Sequence, residues 1–451
     1  MAGYSVVRGG TIITNDVTRR IIKNGAIVYE DDHILKVGKE EELSKEFEHP
    51  DSIIDARRKI IIPGIVQAHT HVMGHLFKGF TEDGAEDAFY KVCLPMEDYI
   101  TREDAYWLSL VGCIEAVKFG TTMINDIFHY ADVTAGVVEK VGIRGVIEQK
   151  VFDVKSLGKI GDMDYSRDID AGMRRLKLNE ELIRKWNGSS NGRIRCWVGN
   201  HAPDTNSPEL LSAGRELADR YGVGIHIHVA QSTREVRYVK KEYGKTSVEF
   251  LNSLGFLRDD VVCAHLSFAD PKDIAMLEAS GAGMAHCPVI MGKFGSFPRI
   301  AEFLNSKVTI GLGSDWVSLN PWEDMRAAIE ITRSIAKNIS LQNAQRAFEL
   351  ATLGSAKLLK ADQQVGSIEQ GKKADIVIVD PNRPNLVPMR DVLQSLVYNM
   401  TGNEVETVIC DGKPVVSNFR MVNVDEDSAI RRAQEVAERI WTESGVHQSP
   451  T

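Results

Sequence analysis

The sequence predicts an α/β protein built as a (β/α)8 TIM-like barrel, with a small β-sandwich domain assembled from both chain ends. Three observations carry this. From about Ile60 to Leu359, eight near-continuous apolar strands alternate with helical stretches, the pattern of a parallel sheet buried on both faces. Units of this kind spread over roughly 300 residues fit a closed barrel better than an open doubly wound sheet, and no Gly-rich phosphate loop follows the first strand. The two chain ends carry instead short strands punctuated by Gly, Asn and Asp, with no helical period beyond the brief EEELSKEF.

Taken in order, YSVVRGG, TIITN, GAIVYE, HILKVG and SIIDA read as the N-terminal strands, and beyond Gly366 the segments KKADIVIVD, VETVICDGKPVV and FRMVNVD repeat that texture. Ends of like texture around a different middle are expected to pair, giving a discontinuous sandwich domain over 1–58 and 366–424 and a barrel over 59–365. The barrel strands are IIIPGIVQA, TTMINDIF, IRGVIEQKVF, RIRCWVG, GVGIHIHVA, DVVCAHL, GAGMAHC and KVTIGLGSD. Helix signals lie between them: Ser207-Pro208 opens ELLSAGRELADRYG and Asp270-Pro271 opens KDIAMLEASG, each with an N-cap, Pro in the first turn and a terminal Gly. Residues 425–451 read as a C-terminal helix, amphipathic from Asp425 to Ser444, and a tail.

Composition removes several classes of function. The 451 residues are 43% hydrophobic and 26% charged, ordinary for a globular protein large enough for two domains. A net charge of -9 without any basic run argues against nucleic acid. The six cysteines form no CxxC pair, so neither a disulfide framework nor a thiolate zinc site is expected. The first residues lack a signal-peptide pattern, and no apolar run reaches the ~18 residues needed to span a bilayer. A cytoplasmic protein without a membrane partner is the expectation.

The histidines point to chemistry. Nine of the twelve fall between His69 and His286, most where a predicted strand ends, at the mouth where barrel enzymes build their sites. His69 and His71 close the first strand two residues apart, so both side chains face the same way. His228 ends the fifth strand, His265 the sixth, His286 the seventh and Asp315 the eighth. Imidazoles with one carboxylate suit zinc or iron and leave a position for water. A single strand-end histidine is more often a packing residue; this set is hard to obtain by accident. His226, two residues before His228, reads as a second-layer core histidine.

These frames resemble the amidohydrolase superfamily, in the branch of guanine and adenosylhomocysteine deaminases and triazine hydrolases such as atrazine chlorohydrolase. The residues that carry the resemblance are PGIVQAHTHVMGHLFKGF, GTTMINDIFHY, NHAPDTNSPELL, IHIHVAQSTREV, VVCAHLSFAD, MAHCPVI and IGLGSDWVSLN, with the closing GSIEQGKKADIVIVD and VETVICDGKPVV. The resemblance implies that His69, His71, His228 and Asp315 hold one divalent metal, zinc or alternatively iron. It implies catalytic roles for Asp315, which accepts a proton from water, and for His265, which orients that water. His201, His129, His286 and Gln231 are expected to face a small heterocyclic substrate. No Lys lies on the fourth strand, where two-metal relatives carry a bridging Lys; Lys150, at the end of the third, is expected to be structural or pocket-lining. Together with the C-terminal helix, the resemblance favours a homo-oligomer.

One residue departs from the deaminase pattern. Three positions after the fifth-strand histidine those enzymes carry a Glu that shuttles protons; here it is Gln231, and an amide cannot do this at neutral pH. Glu235, four residues on, is expected in a surface or interhelical pair. HCPVIMGKFGS lacks the Ser-Asn that follows HCP in the deaminases, and FTEDGAEDAFYKVCLPMEDY keeps its acidic turn and LPMED ending but lacks a Trp between them. The leading expectation is hydrolytic deamination of an amino-substituted N-heterocycle. The alternative is dechlorination or cyclic-amide hydrolysis of a triazine-like heterocycle, where the leaving group needs less protonation. A metal-binding protein without catalysis ranks third, since the whole ligand set is retained.

Overall fold

The computed structural model describes residues 3–80, 82–83, 89–316 and 318–445. Most of the acidic turn, Val317 and the tail from 446 onward therefore lie outside the described residues.

The central sheet runs through Ile65–Val66, Thr121–Phe128, Arg144–Val151, Val198–Asn200, Ile225–Val229, Val261–His265, Gly283–His286 and Ile310–Leu312, each parallel to the next. Ile194–Cys196 extends the fourth strand along the third. The second and third strands are buried along their whole length, as strands must be that carry helices outside and packed side chains within. Backbone bonds join the last strand to the first: Ala68 N donates to Leu312 O at 2.8 Å, Asp315 N to His69 O at 3.1 Å and His71 N to Asp315 O at 2.8 Å. The sheet is thus an eight-stranded barrel, and its rim collects the residues that follow each strand.

The outer helices begin where the sequence places them. Ser207 caps Pro208–Tyr221 through Leu210 N, and Asp270 caps Pro271–Ser280 through Lys272 N and Asp273 N. Both helices end on a glycine in the left-handed region, Gly222 at φ +63° and Gly281 at φ +81°, where a side chain would be strained.

The chain ends form a second sheet. Ser5–Ile13 pairs with Ile21–Glu30, which pairs with His33–Lys39; Ser52–Asp55 and Ile60–Pro63 lie parallel to Ser5–Ile13. Ile376–Val379 then joins the two ends by pairing with Ile60–Pro63, followed outward by Val405–Cys410, Lys413–Ser417 and Arg420–Met421. The two layers of the expected sandwich are parts of this one hydrogen-bonded sheet, whose margin returns through Ile34 N to Lys372 O and Ala374 N to Asp32 O, both 2.8 Å. Val7, Ile12, Ile27, Ile61, Ile376 and Ile378 fill the space it encloses.

The run IIIPGIVQA, read as one barrel strand, divides at Gly64. Ile60–Pro63 belongs to the end sheet and Ile65–Val66 to the barrel. A Cβ at Gly64 would lie 2.1 Å from Thr122 Oγ1, so the crossing between sheets requires glycine. Arg144 braces the same junction, binding both oxygens of Asp375 at 2.9 and 3.0 Å and Asp411 Oδ1 at 2.5 Å.

The C-terminal helix, Glu426–Glu443, buries Ala429, Ala433, Ala437 and Ile440. Arg439 pairs with Asp104, and Trp441 Nε1 donates to Leu76 O at 3.0 Å. This face packs within the chain, while Ile430 on the same helix is half-exposed. All six cysteines are buried and unpaired. Among the described residues no helix is long and apolar enough to cross a membrane.

Candidate active site

Four of the strand-end groups converge at the barrel mouth. His71 Nε2 lies 3.2 Å from His228 Nε2, and Asp315 Oδ1 lies 3.4 Å from both His69 Nε2 and His71 Nε2. His265 Nε2 approaches the other carboxylate oxygen of Asp315 at 3.7 Å. His69 Nε2 and Asp315 Oδ1 are buried without a hydrogen-bond partner, which is costly unless something else satisfies them.

The second nitrogens of these rings explain the orientation. His71 Nδ1 donates to Ile127 O at 2.6 Å and His228 Nδ1 to His201 O at 2.7 Å, leaving each Nε2 lone pair aimed inward. His69 Nδ1 lies 2.8 Å from His226 Nε2, and His226 Nδ1 lies 3.3 Å from Glu148 Oε2. Burial, reinforced by neighbouring imidazoles, holds His69, His71 and His265 well below the usual histidine range and His228 down at about 3. The neutral imidazole is the form that ligates a metal. Burial and the charge of Asp324 push Asp315 well above the usual carboxylate range, a penalty that a cation beside it would reverse.

The orphaned Nε2 and Oδ1 atoms, three inward lone pairs and one carboxylate fit a divalent metal of the zinc type. Among the described residues, the two groups with metal-ligand spacing are His69, His71 and His228, and His69, Cys287 and Asp315. They share His69, which supports one centre, and burial pushes the Cys287 thiol well up, toward its neutral form.

The backbone is strained where the chemistry sits. His265 at φ +76° and Asp315 at φ +66° occupy the left-handed region that side-chain-bearing residues avoid. Ladder bonds hold them there: Leu266 N donates to Val229 O at 3.0 Å, and Asp315 is anchored on both sides by the first strand.

A cavity opens above these groups, with His71, His228, His265 and Asp315 in its lining. His201 and Gln231 also line it. The Thr205 hydroxyl donates to Ala202 O at 3.2 Å, so His201 Nδ1 donates to Thr205 Oγ1 at 2.9 Å and its Nε2 remains an acceptor. His129 and His286, expected to face substrate, are not in that lining. His129 stands behind Glu97, to which its Nε2 donates at 2.8 Å, and His286 is buried with neither ring nitrogen partnered.

Glu235 corrects the expectation of a surface or interhelical pair. It is fully buried and accepts the N–H groups of Ala230 at 2.7 Å and Gln231 at 2.9 Å, so it shapes the turn that carries Gln231.

Sequence reasoning missed other lining residues. An aromatic wall of Phe77, Phe89, Tyr90, Phe294 and Trp316 faces the cavity, with Phe89 and Trp316 tilted 33° at 5.3 Å. Glu97 lines it too, paired with Lys150, which was expected to be structural or pocket-lining and does line the cavity, its Nζ standing 2.8 and 2.9 Å from the two carboxylate oxygens. The available signal for Glu97 was the pair of charges Glu148 and Lys150 in the wholly buried strand Arg144–Val151. Two charges at spacing i, i+2 must face one side of a buried strand and require partners there.

A parallel barrel with histidines and an aspartate converging at its C-terminal rim defines the class of metal-dependent hydrolases. The chain belongs to the amidohydrolase family, whose model matches residues 60–415. It is 32% identical over 441 residues to a 5'-deoxyadenosine deaminase of Methanosarcina acetivorans, covering 96% of this chain and 98% of that one. It is 33% identical over 431 residues to a 5-methylthioadenosine/S-adenosylhomocysteine deaminase of Moorella thermoacetica, covering 94% and 97%. Among solved structures, an adenosine deaminase from Xanthomonas campestris with bound zinc superposes with a TM-score of 0.90 at 24% identity, covering 97% and 98% of the two chains. The atrazine chlorohydrolase of Arthrobacter aurescens, complexed with zinc, superposes with a TM-score of 0.86 at 22% identity, covering 96% and 100%.

Proposed function

We propose that the protein hydrolytically deaminates an amino-substituted N-heterocycle of the 6-aminopurine type, using one zinc ion per chain held by His69, His71, His228 and Asp315. The convergence of orphaned His69 Nε2 and Asp315 Oδ1 with two inward Nε2 lone pairs carries this proposal. Names of the full-length relatives, deaminases of adenosine derivatives, supply the substrate class. A metal held there supplies the Lewis acidity that makes water nucleophilic near neutral pH. Asp315 accepts the proton of that water. His265, 3.7 Å from Asp315, orients it, and the aromatic wall stacks on the face of a planar ring. His201 offers its free Nε2 as acceptor to the substrate, and Gln231 offers an amide. The enzyme is expected to work in the cytoplasm and as a homo-oligomer.

A second function follows from Gln231: dechlorination or cyclic-amide hydrolysis of a triazine-like ring, where a departing group needs less help from an acid. One experiment separates the two. Zinc-loaded protein is offered aminopurine nucleosides, pterins, aminotriazines, chlorotriazines and cyclic amides, with ammonia, chloride and product mass followed. Ammonia release that vanishes in Asp315→Ala supports deamination. Chloride or ring-opened product without ammonia supports the second function, and no turnover of any member rejects both. Metal analysis accompanies it, and a ratio near two per chain would reject the single centre.

A further inference from the structure

We propose that Lys150 donates the proton that lets the amine depart, and that His129 and Glu97 return a proton to Lys150 from the solvent side; this rests on the deamination proposed above. Gln231 has no proton to lend, so the acid must come from another group in the cavity lining. His71, His228 and His201 spend their ring proton at Nδ1, on Ile127 O, His201 O and Thr205 Oγ1, so their Nε2 atoms present lone pairs, and His265 turns its Nε2 toward Asp315. Against the upward push of burial, Lys150 and His129 bring the Glu97 carboxyl down to about 2, so Glu97 is ionised and carries no proton of its own. The Lys150 ammonium is the one Lys or Arg cation in that lining.

Its geometry suits the task. Lys150 is 3% exposed on its side chain, stands 5.3 Å above the Phe128 ring, and donates to Glu97 Oε1 and Oε2. Two N–H groups satisfy the carboxylate; the third has no acceptor among the described residues and belongs to a side chain that lines the cavity with His71, His228 and Asp315. Glu97 is shared with a second cavity of about 620 Å³, lined also by His129, Arg102 and Asp132. Glu97 Oε2 accepts from His129 Nε2 at 2.8 Å, and the His129 side chain is 21% exposed against 4% for Glu97. Three hydrogen-bonded groups therefore span from the reacting cavity to a larger one, at the more exposed His129.

The step balances as follows. Water forms the new C–O bond, and the proton it gives up reaches the ring nitrogen by way of Asp315. The C–N bond breaks as its electron pair leaves with the nitrogen, which takes the Lys150 proton and departs as ammonia. The hydroxyl proton of the adduct passes to the Asp315 carboxylate as the carbonyl forms and is released to solvent with the product. Neutral Lys150 regains a proton from solvent through His129 and Glu97, so the net change is water in and ammonia out.

The test pairs leaving groups on one ring, starting with 5'-deoxyadenosine and its 6-chloropurine counterpart on zinc-loaded protein. Lys150→Arg keeps a cation for Glu97 but holds its proton too tightly to give it up; Lys150→Gln covers the case that the larger side chain does not fit. Each is expected to lower ammonia release by about 100-fold or more in kcat. Chloride release, and calorimetric binding of 5'-deoxyadenosine to the metal-free protein, should stay within about threefold. His129→Gln should slow ammonia release and spare chloride release, and adding Gln231→Glu to Lys150→Arg should restore at least about tenfold of the lost rate. Equal loss with both leaving groups, or no loss of ammonia release, overturns the proposal and leaves Lys150 an anchor for Glu97. Wild-type protein that releases chloride but no ammonia from any member of the panel overturns the deamination itself, and this proposal with it.

Discussion

His69 Nδ1 lies 2.8 Å from His226 Nε2, so the innermost strand-end histidine is oriented by a residue that never reaches the cavity. For His69 Nε2 to present a lone pair, its proton must sit on Nδ1 and be accepted by His226. His226 then carries its own proton on Nδ1, where Glu148 Oε2 accepts it at 3.3 Å. Replacing His226 by Phe removes the acceptor while filling the space. Metal affinity, measured by competition with a chelator, should weaken by about 10- to 100-fold. Affinity unchanged within about twofold, with only a lower melting temperature, would reduce His226 to a packing residue.

Glu235 governs the turn after the fifth strand. Its two oxygens each take a backbone N–H, from Ala230 and Gln231, and Ala230 is held at φ +50°. Glu235→Gln presents an NH2 group to one of those N–H donors, so a buried donor is left unsatisfied at a cost of about 1–3 kcal/mol. Denaturant unfolding should show that loss. Turnover should fall while bound metal, counted in the folded protein, stays at its wild-type ratio. A variant with wild-type unfolding midpoint would show that the turn holds itself.

The sequence was informative wherever one physical constraint acts on one position. Near-continuous apolar strands force a two-sided sheet, and Ser207, Asp270, Gly222 and Gly281 mark helix ends by local chemistry alone. The strand-end histidines were visible because barrel geometry turns strand order into a ring of neighbours. Gly64 was not read as the crossing between sheets, because an apolar run gives no sign that its two halves pair with different partners. Glu97 and Glu235 were missed for a related reason: burial of a carboxylate depends on what folds over it, here Lys150 with His129 and the amides of Ala230 and Gln231. What the C-terminal helix packs against was not legible, because amphipathicity shows that a face is covered and does not show by what.

His286 gives a pH dependence whose sign can be worked out. Burial lowers it from an ordinary 6.5 to about 4, and neither ring nitrogen has a partner. Between pH 6.5 and 4 the unfolded chain therefore binds a proton that the folded chain does not, so stability falls on acidification through that window. Below it both forms are protonated and the contribution levels off. For this residue the loss between pH 7 and pH 5 amounts to about 2 kcal/mol. Urea unfolding of His286→Gln at the two pH values should show a loss smaller by about that amount. An identical pH slope in variant and wild type would mean that His286 charges as freely in the folded protein as in the unfolded one.

The junction between barrel and end sheet rests on a buried charge cluster whose removal should be asymmetric. Arg144 enters from the third barrel strand, while Asp375 and Asp411 come from the end sheet, and Asp411 N donates to Asp375 Oδ1 at 2.9 Å. The side chains of Arg144 and Asp375 are 4% and 2% exposed, so water cannot replace a lost partner. Arg144→Met leaves Asp375 without its cation and Asp411 with Arg193 Nε alone, at 3.7 Å, and about 3–5 kcal/mol of stability should disappear. Adding Asp375→Leu and Asp411→Asn removes those charges, and the triple variant should unfold at a higher denaturant concentration than Arg144→Met alone. None of the three residues lines the cavity, so activity per folded molecule should match wild type in every variant. If Arg144→Met costs under about 1 kcal/mol, the two sheets are held together by the apolar contacts around Gly64 and the ion cluster is incidental.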